Sequence, residues 1–409
     1  MEPETTTKPL QGIRVVEVSM WAYVPSAGAV LADWGADVIK IEPPNGDPIR
    51  GLLMAGIPPG HNGLTFMWEI YNRGKRSVAL DLRNPASTEM LRRMVEKADV
   101  FLVSLLPNTR RALGIDLESI RAMNRQIIYA QGTGQGPHGD EANNGGYDAM
   151  TFWARSGVSD AVTPSDYPHP IGMPVGAFGD SLSGAILAGG IAAAIALRDR
   201  TGHSSVVDGS LMSAAMWAMQ AGIVGSGVLG VDAIPKMTRD APANPLVTTY
   251  RTKDGRYIAL NMLQQDKYWP RLCEVLERPD LVDDPLYATS AARRENISAC
   301  IGILDAIFLS KTLDEWRLIL ATQEGQWDVL KKMGEMRTDQ QALANGYVQD
   351  VDYGDGRHLD MVSAPVQFDG SPAKLQAAPE LGADTEAVLQ ELGLDWDQII
   401  EAKLNKVIL

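Results

Sequence analysis

Short apolar runs alternate with helix-length segments through residues 13–131, and few folds accept that order. Residues 13–18 (IRVVEV), 37–41 (DVIKI), 77–82, 99–105 and 126–131 (QIIYAQ) read as strands. Between them, 25–34, 86–98 and 117–123 read as helices; Pro25 suits a first helical turn, and Gly35 follows the end of that helix. Helices joining strands in this order build a parallel, doubly wound α/β sheet.

Residues 132–179 are rich in Gly, Pro and Asn, the composition of long structured loops. Such loops at the carboxyl ends of parallel strands are where α/β proteins carry their sites. An Ala/Gly-rich helix at 185–197, a short strand at 205–208 and a helix at 210–224 follow. After Gly225 the composition shifts. Residues 248–261 (TTYRTKDGRYIALN) read as a β-hairpin turning at Asp254-Gly255, with helical segments at 268–276, 291–308 and 313–323. This reads as a smaller α+β domain, in keeping with a chain of 409 residues, which is long for one core. The tail returns to a strand-like run at 364–368 and helices at 385–392 and 396–403.

Apolar residues make up 45% of the chain and charged residues 22%, the balance of a soluble globular protein. A net charge of −14 argues against a nucleic-acid partner, which needs a basic face, and obliges any anionic ligand to find a local basic pocket. Cys273 and Cys300 form neither a metal spacing nor a disulfide framework, so a reducing cytoplasm is the expected location. The opening MEPETTTKPL is polar, unlike a secretion signal. The apolar stretch at 183–197 is shorter than the roughly 20 residues that cross a bilayer, and no membrane partner is expected.

Asp180 stands in Gly179-Asp180-Ser181-Leu182-Ser183-Gly184, directly before the Ala/Gly-rich helix, where an N-cap belongs. Free N–H groups and the positive end of the helix dipole favour an ionised carboxylate there. Such a carboxylate either caps the helix or acts as a nucleophile, because carboxylates form covalent acyl intermediates.

Other motifs admit blander readings. Gly134-Gln135-Gly136-Pro137-His138-Gly139 fits GxGxxG after a strand, but Pro137 and the following Asn143-Asn144-Gly145-Gly146 read as loop, not as the opening of a dinucleotide-binding helix. His61, His138, His169, His203 and His358 lie at no metal spacing, and no metal is expected; His138 and His169 fall in the loop region, where a site role stays open. Arg73, Lys75 and Arg76 cluster at a strand start, and Arg83, Arg110 and Arg111 follow strands. These are either solvated turns or a focus for a polyphosphate ligand, to which Arg offers bidentate contacts. Asp148 suits a cap for a helix after the glycine turn, and Tyr147 beside it is either core packing or a hydrogen-bond donor at the site.

Several segments together resemble one family. They are 12–17, 31–44 (LADWGADVIKIEPP), 72–82, Gly146-Tyr147-Asp148 with Ser156-Gly157, Gly179-Asp180-Ser181, and the tail at 378–385 and 389–394. In their order and spacing the chain resembles a class III CoA-transferase, the CaiB/BaiF group that also holds the α-methylacyl-CoA racemases. The resemblance implies a large Rossmann-like domain from residues 1–225 plus 341–409, a small α+β domain over 226–340 inserted in it, and an interlocked homodimer. It implies transfer of CoA from an acyl-CoA donor to a carboxylic acid acceptor, with the CoA thioester as substrate and no permanently bound cofactor. Asp180 takes the place of the family's catalytic carboxylate, which passes through a mixed anhydride and an aspartyl-CoA thioester. N–H groups at its helix start are expected on the oxyanions. Racemases carry His where Tyr147 stands, so their two-base pair is missing here, and Tyr147 is expected to serve beside Asp180. Racemase-type chemistry and non-catalytic acyl-CoA binding on the same fold are the alternatives.

The resemblance also places CoA contacts on Trp21 and Ala22 after the first strand, and on Arg83. Val103-Ser104 stands where relatives carry Glu-Asn, which assigns a contact to Ser104. Relatives carry a basic residue at the position of Ala112, for which Arg110 and Arg111 can substitute. The Lys that precedes the family Tyr, a glycine-only loop in 226–250 and an apolar-Pro turn at 325–328 are absent from the sequence. Trp21, Tyr23, Phe152 and Trp153 suit either an apolar acyl pocket or the core.

Overall fold

The computed structural model describes residues 8–51, 63–236, 238–240 and 242–409, so His61 and most of the N-terminal MEPETTTKPL stretch lie outside the described residues. The chain divides into two units. The first takes the described parts of Met1–Thr163, Pro168–Asp232 and Asp339–Leu409, and the second Pro164–Tyr167 with Ala233–Thr338.

The first unit is built on a six-stranded sheet: β1 (Arg14–Val18), β2 (Asp37–Glu42), β3 (Arg76–Ala79), β4 (Val100–Val103), β5 (Ile128–Thr133) and β6 (Val206–Ser210). The order is β3-β2-β1-β4-β5-β6 and every pair is parallel. This is the doubly wound arrangement, and its strand order reverses between β1 and β4, where such sheets open a crevice at the strands' carboxyl ends. The helices of this half are α1 (Tyr23–Asp33), α2 (Phe66–Asn72), α3 (Thr88–Glu96), α4 (Pro107–Ala112) and α5 (Leu117–Met123). α2 and α4 fall where the sequence pattern suggests none, because each is too short to show a helical apolar period.

The loop-rich region after β5 holds a π-helical turn, Ala149–Arg155, and a short α6 (Val158–Val162). Next comes α7 (Phe178–Thr201), far longer than the stretch expected at 185–197. At 24 residues it is long and apolar enough to cross a bilayer by length and composition alone, which corrects the sequence estimate. Its small residues serve packing. A Cβ on Gly184 would stand 2.6 Å from the Ser26 Cβ and 2.7 Å from the Tyr23 carbonyl oxygen, so the backbones of α1 and α7 touch there. The single helix expected at 210–224 is two, α8 (Leu211–Ala218) and α9 (Gln220–Leu229), meeting at a bend of 65°.

The second unit carries an antiparallel sheet of β7 (Val247–Arg251), β8 (Tyr257–Asn261) and β9 (Trp327–Val329). The β7–β8 turn runs through Asp254-Gly255, with Gly255 in the left-handed region at φ +77°. α10 (Gln265–Val275), α11 (Ser290–Glu295), α12 (Ile297–Phe308) and α13 (Leu313–Leu320) pack on it around Trp269, Phe308 and Trp316. Both cysteines are free and buried in this core.

The chain then returns to the first unit through α14 (Gln340–Ala344) and an antiparallel pair absent from the sequence reading, β10 (Val348–Asp352) and β11 (His358–Val362). No strand forms over the run expected at 364–368, where Val366 instead gives its carbonyl to the Trp34 indole N–H at 3.3 Å. The tail, with α15 (Thr385–Glu391) and α16 (Trp396–Leu404), covers the exposed edge of β3. Asp384 accepts the Ser77 N–H at 2.8 Å, Thr385 accepts that of Ala79 at 3.0 Å, and Ile408 bridges to Leu80.

Gly184→Val should force α1 and α7 apart. Overpacking of this kind costs about 1–3 kcal/mol, to be read as a lowered midpoint in denaturant unfolding.

Candidate active site

The start of α7 has an unusual geometry. Ala177 precedes it in the left-handed region at φ +60° and offers no capping side chain. The cap comes from far back in the chain. Asp148 Oδ2 accepts the Gly179 N–H at 3.1 Å, and the Asp180 N–H also bonds to this carboxylate. Asp148 Oδ1 accepts the Ala149 N–H at 2.8 Å, so one side chain ties the π-helical turn to α7. Gly179 permits the approach: a Cβ there would stand 2.6 Å from Phe152 Cγ and 3.0 Å from Asp148 Cβ.

Asp180 is therefore inside the first turn of α7 and not at its N-cap, as the sequence suggests. It is half-buried, and its carboxylate accepts no hydrogen bond among the described residues. Burial, with the Asp148 charge second, pushes its carboxyl up to about 7. Burial raises the Asp148 carboxyl too, against the pull of the N–H groups it accepts. The Tyr71 hydroxyl and Ser181 Oγ are 2.9 Å apart, and Ser181 Oγ donates to the Ala177 carbonyl at 3.0 Å, which holds the left-handed residue in place. The N–H groups of Gly179 and Asp180 go to Asp148, and that of Ser181 goes to the Ala177 carbonyl at 3.0 Å. The oxyanion role expected of the helix start is thus not open to these three.

Trp21 meets Tyr147 edge-on, with ring centroids 6.0 Å apart and planes at 80°. Tyr147 is 60% exposed, which decides between its two sequence readings: it is not core. Trp21 is left-handed at φ +69°, and its N–H bonds to Asp47 Oδ1 at 3.2 Å. Ala22 shares an apolar cluster with Ala177 and Tyr71, against which Trp21 packs. At the sheet's switch point, the Met20 N–H donates to Ser104 Oγ at 3.1 Å. α1 begins there with no side-chain cap and no acid in its first turn, so among the described residues no side chain of its own answers its positive end.

The basic residues separate into two sets. Arg83 and Arg111 are exposed, the latter bonded to Asn108, while Arg110 is buried against the Tyr129 hydroxyl at 3.4 Å and Gln131. No hydrogen bond or ion pair joins any of these three to Asp180 among the described residues. A cavity of about 420 Å³ lies beside Leu82 and Leu113, with Leu91, Met123 and Ser119 also in its walls. The cluster at 72–76 is neither a solvated turn nor free for phosphate. Arg73 is buried on Asp33 at 2.7 Å, Lys75 on Glu17 at 2.8 Å, and Arg76 bonds Asp37 and Glu391 at 2.7 Å. Tyr23, Phe152 and Trp153 are buried in the core, leaving only Trp21 of the four aromatics near the site surface. Residues 134–139 open no helix. Among the described residues, no group of three or more His, Cys, Asp or Glu is placed to hold a metal ion.

Comparison with known proteins gives this geometry a family. The sequence matches CoA-transferase family III over residues 10–385. It is 31% identical to (R)-2-hydroxy-4-methylpentanoate CoA-transferase of Clostridioides difficile, over 98% of this chain and 99% of that one. It is 28% identical to cinnamoyl-CoA:phenyllactate CoA-transferase of Clostridium sporogenes, over 99% and 98%. The crystal structure of a CAIB/BAIF family protein from Brucella suis superposes with a TM-score of 0.82 at 28% identity, over 95% of this chain and 100% of that one. The chain belongs to CoA-transferase family III.

As a family III CoA-transferase it is an enzyme acting on acyl-CoA thioesters and carboxylic acids. Two features of its site escape a sequence reading. The reach of Asp148 to α7 spans 31 residues and leaves no local signature. The buried ion pair of Lys40 with Glu17, 3.2 Å apart, did leave one: the two interrupt apolar strands at positions that pair directly across β1 and β2.

Because Asp180 holds its proton more tightly folded than unfolded, its contribution to stability is full below the ordinary carboxylate value and is lost as pH rises through about 7. Asp180→Asn should remove that loss. In denaturant unfolding, the variant should gain on the parent between about pH 4 and pH 7. Asp148→Asn keeps an acceptor for the helix but deletes the like charge, so Asp180 should titrate at lower pH in carbon-13 NMR of labelled aspartate.

Proposed function

We propose that the enzyme moves CoA from an acyl-CoA thioester to a free carboxylic acid through covalent intermediates on Asp180. The observation that carries this reading is an Asp180 carboxylate in the first turn of α7 that is half-buried and unbonded, because Asp148 takes the capping role. The Asp180 oxygen attacks the thioester carbonyl and expels the CoA thiolate, giving a mixed anhydride. The thiolate attacks the aspartyl carbon of that anhydride, releasing the donor carboxylate and leaving an aspartyl-CoA thioester. The acceptor carboxylate attacks this thioester, again expelling thiolate and forming a second anhydride. Thiolate attack on the acceptor's acyl carbon then yields the new acyl-CoA and restores the Asp180 carboxylate. Each step exchanges one acyl bond for another, so the thioester's free energy stays in the site. A carboxyl raised to about 7 suits this work: it is more basic than a free aspartate, yet ionised above neutrality. The exposed Tyr147 hydroxyl serves as a hydrogen-bond donor to the reacting carbonyl.

We assign the CoA-binding role to the first unit. The uncapped start of α1, with Trp21, Ala22 and Ser104 at the switch point, suits the phosphate and pantetheine portions. Arg83 and Arg111 supply positive charge, and the cavity beside Leu82 and Leu113, whose walls mix apolar side chains with Ser87, Thr88, Arg92 and Ser119, is assigned to the adenine end. Given the acids named for the two clostridial relatives, branched or aryl 2-hydroxy acids are the first acceptors to try, and the Trp21–Tyr147 pair is an apolar surface of the right kind.

The enzyme is further proposed to work as a homodimer in the cytoplasm. α9 buries none of its residues, and Trp217 and Val228 are 68% and 80% exposed. Apolar surface on this scale marks a protein interface. The parent should sediment at twice the chain mass, and Trp217→Glu with Val228→Glu should shift it toward monomer.

Incubation with acyl-CoA donors should leave an acyl or CoA adduct on the peptide containing Asp180, seen by mass spectrometry. Asp180→Asn should abolish the adduct and reduce turnover by at least about a thousandfold while keeping the fold. Since the attacking form is the carboxylate, kcat/KM should rise with pH and level off above about 7. Deuterium exchange at the α-carbon of a 2-methylacyl-CoA without any Asp180 adduct would overturn the transferase reading in favour of racemase chemistry.

A further inference from the structure

A layer of charge lies under the loop that carries Trp21. Lys40 is fully buried, with its ammonium 3.0 Å from Asp47 Oδ2, 3.2 Å from Glu17 Oε1 and 3.0 Å from the Ser19 carbonyl. Glu17 is buried and also holds Lys75 at 2.8 Å. Asp47, 2% exposed, ends this layer. Its Oδ1 accepts the N–H groups of Trp21 at 3.2 Å and of Ile49 at 3.1 Å, while its own N–H goes to Glu42 at 3.0 Å. Burying a carboxylate requires that its oxygens be answered: two N–H groups bond Oδ1, and Oδ2 is met by the Lys40 charge alone, without a well-aligned hydrogen bond.

What Asp47 grips is the unusual part. Trp21 is one of few non-glycine residues with positive φ, at +69°. A bulky side chain in that region costs about 1–2 kcal/mol and persists only where the surroundings hold it. The conformation turns the indole toward Tyr147, whose neighbour Asp148 caps the helix bearing Asp180.

We propose that Asp47 is a positioning residue for the reaction, acting through Trp21. Anchored by Lys40, it pins the Trp21 N–H and so fixes the indole as a wall of the acyl-CoA site. The proposal rests on the reading of Trp21 as part of the CoA site. Strand register supplies the anchor: Lys40 sits opposite Glu17 on neighbouring strands, which sets its ammonium under the loop.

Two substitutions separate the grip from the ion pair. Asp47→Asn loses the charge facing Lys40 but keeps an oxygen for the Trp21 N–H. Asp47→Ala loses both. The expected result is a lowered thermal midpoint in both variants, with KM for acyl-CoA within about threefold of the parent for Asn but raised at least about tenfold for Ala. In a Trp21→Ala background, Asp47→Ala should add less than about a twofold change, since a residue that acts through another has nothing left to position. Calorimetric binding of free CoA gives the same comparison without turnover. If the parent binds CoA yet forms no adduct at Asp180, the transferase chemistry fails and the Kd series alone judges Asp47. Equal effects of Asn and Ala, KM values that simply follow the thermal midpoints, or full additivity with Trp21→Ala would each overturn the proposal.

Discussion

Asp148 accepts N–H groups from a helix that begins 31 residues further along the chain, and the character of Asp180 follows from that contact. A helix start demands acceptors for its first N–H groups. Had Asp180 met that demand itself, its oxygens would be held by two or three donors, its carboxyl would titrate low, and its lone pairs would be spent. With Asp148 in the role, Asp180 gains no such bonds. It carries instead the cost of partial burial and of a like charge nearby, and both raise its pKa. The same arrangement that makes the carboxylate less stable favours the nucleophilic role proposed for it. On that proposal the cap and the reacting group are two aspartates because one cannot do both.

The sheet was legible because its strands are local objects. Each apolar run is complete within a few residues, and order alone implies parallel pairing. The reading of α7 failed at its start because residues 178–184 (FGDSLSG) have poor helix propensity. They are helical because Asp148 caps them and α1 packs on them, neither of which is written nearby. The basic run at 72–76 failed for a related reason. Its residues look like a solvated turn until Asp33, Glu17, Asp37 and Glu391 are brought beside them from other elements. The β10–β11 pair went unseen because its alternation is broken by Gln349 on the face of the buried Val351 and Met361 and by the paired Val348 and Val362 on the other, although the Gly354 and Gly356 that flank Asp355 are a turn signal.

The charged layer of Lys75, Glu17, Lys40 and Asp47 is unfavourable by desolvation and tolerable only because signs alternate along it. Burial and the neighbouring Lys40 leave the Lys75 ammonium depressed to about 8, while Asp47 and Glu17 hold Lys40 above its ordinary value despite burial. An apolar layer of equal volume could fill this space. It could not accept the backbone N–H groups of Ile49 and of the left-handed Trp21, which require a fixed oxygen.

Helix packing then brings the two halves of the site together. Tyr23 is the first residue of α1, and Gly184 lies one turn beyond Asp180 on the same face of α7. Since the Gly184 backbone rests on the Tyr23 carbonyl, the starts of both helices must lie side by side. The loop bearing Trp21 leads into one start, and Asp180 belongs to the other. The α7 end is answered by the Asp148 carboxylate, so the uncapped end of α1 is the one left to favour an anion there. A CoA-transfer reaction makes anions at every stage: thiolate, carboxylate and the oxyanion between them. A side chain at position 184 would separate those ends by the width of a methyl group or more, so glycine there fixes the electrostatics of the site as well as the packing of the helices.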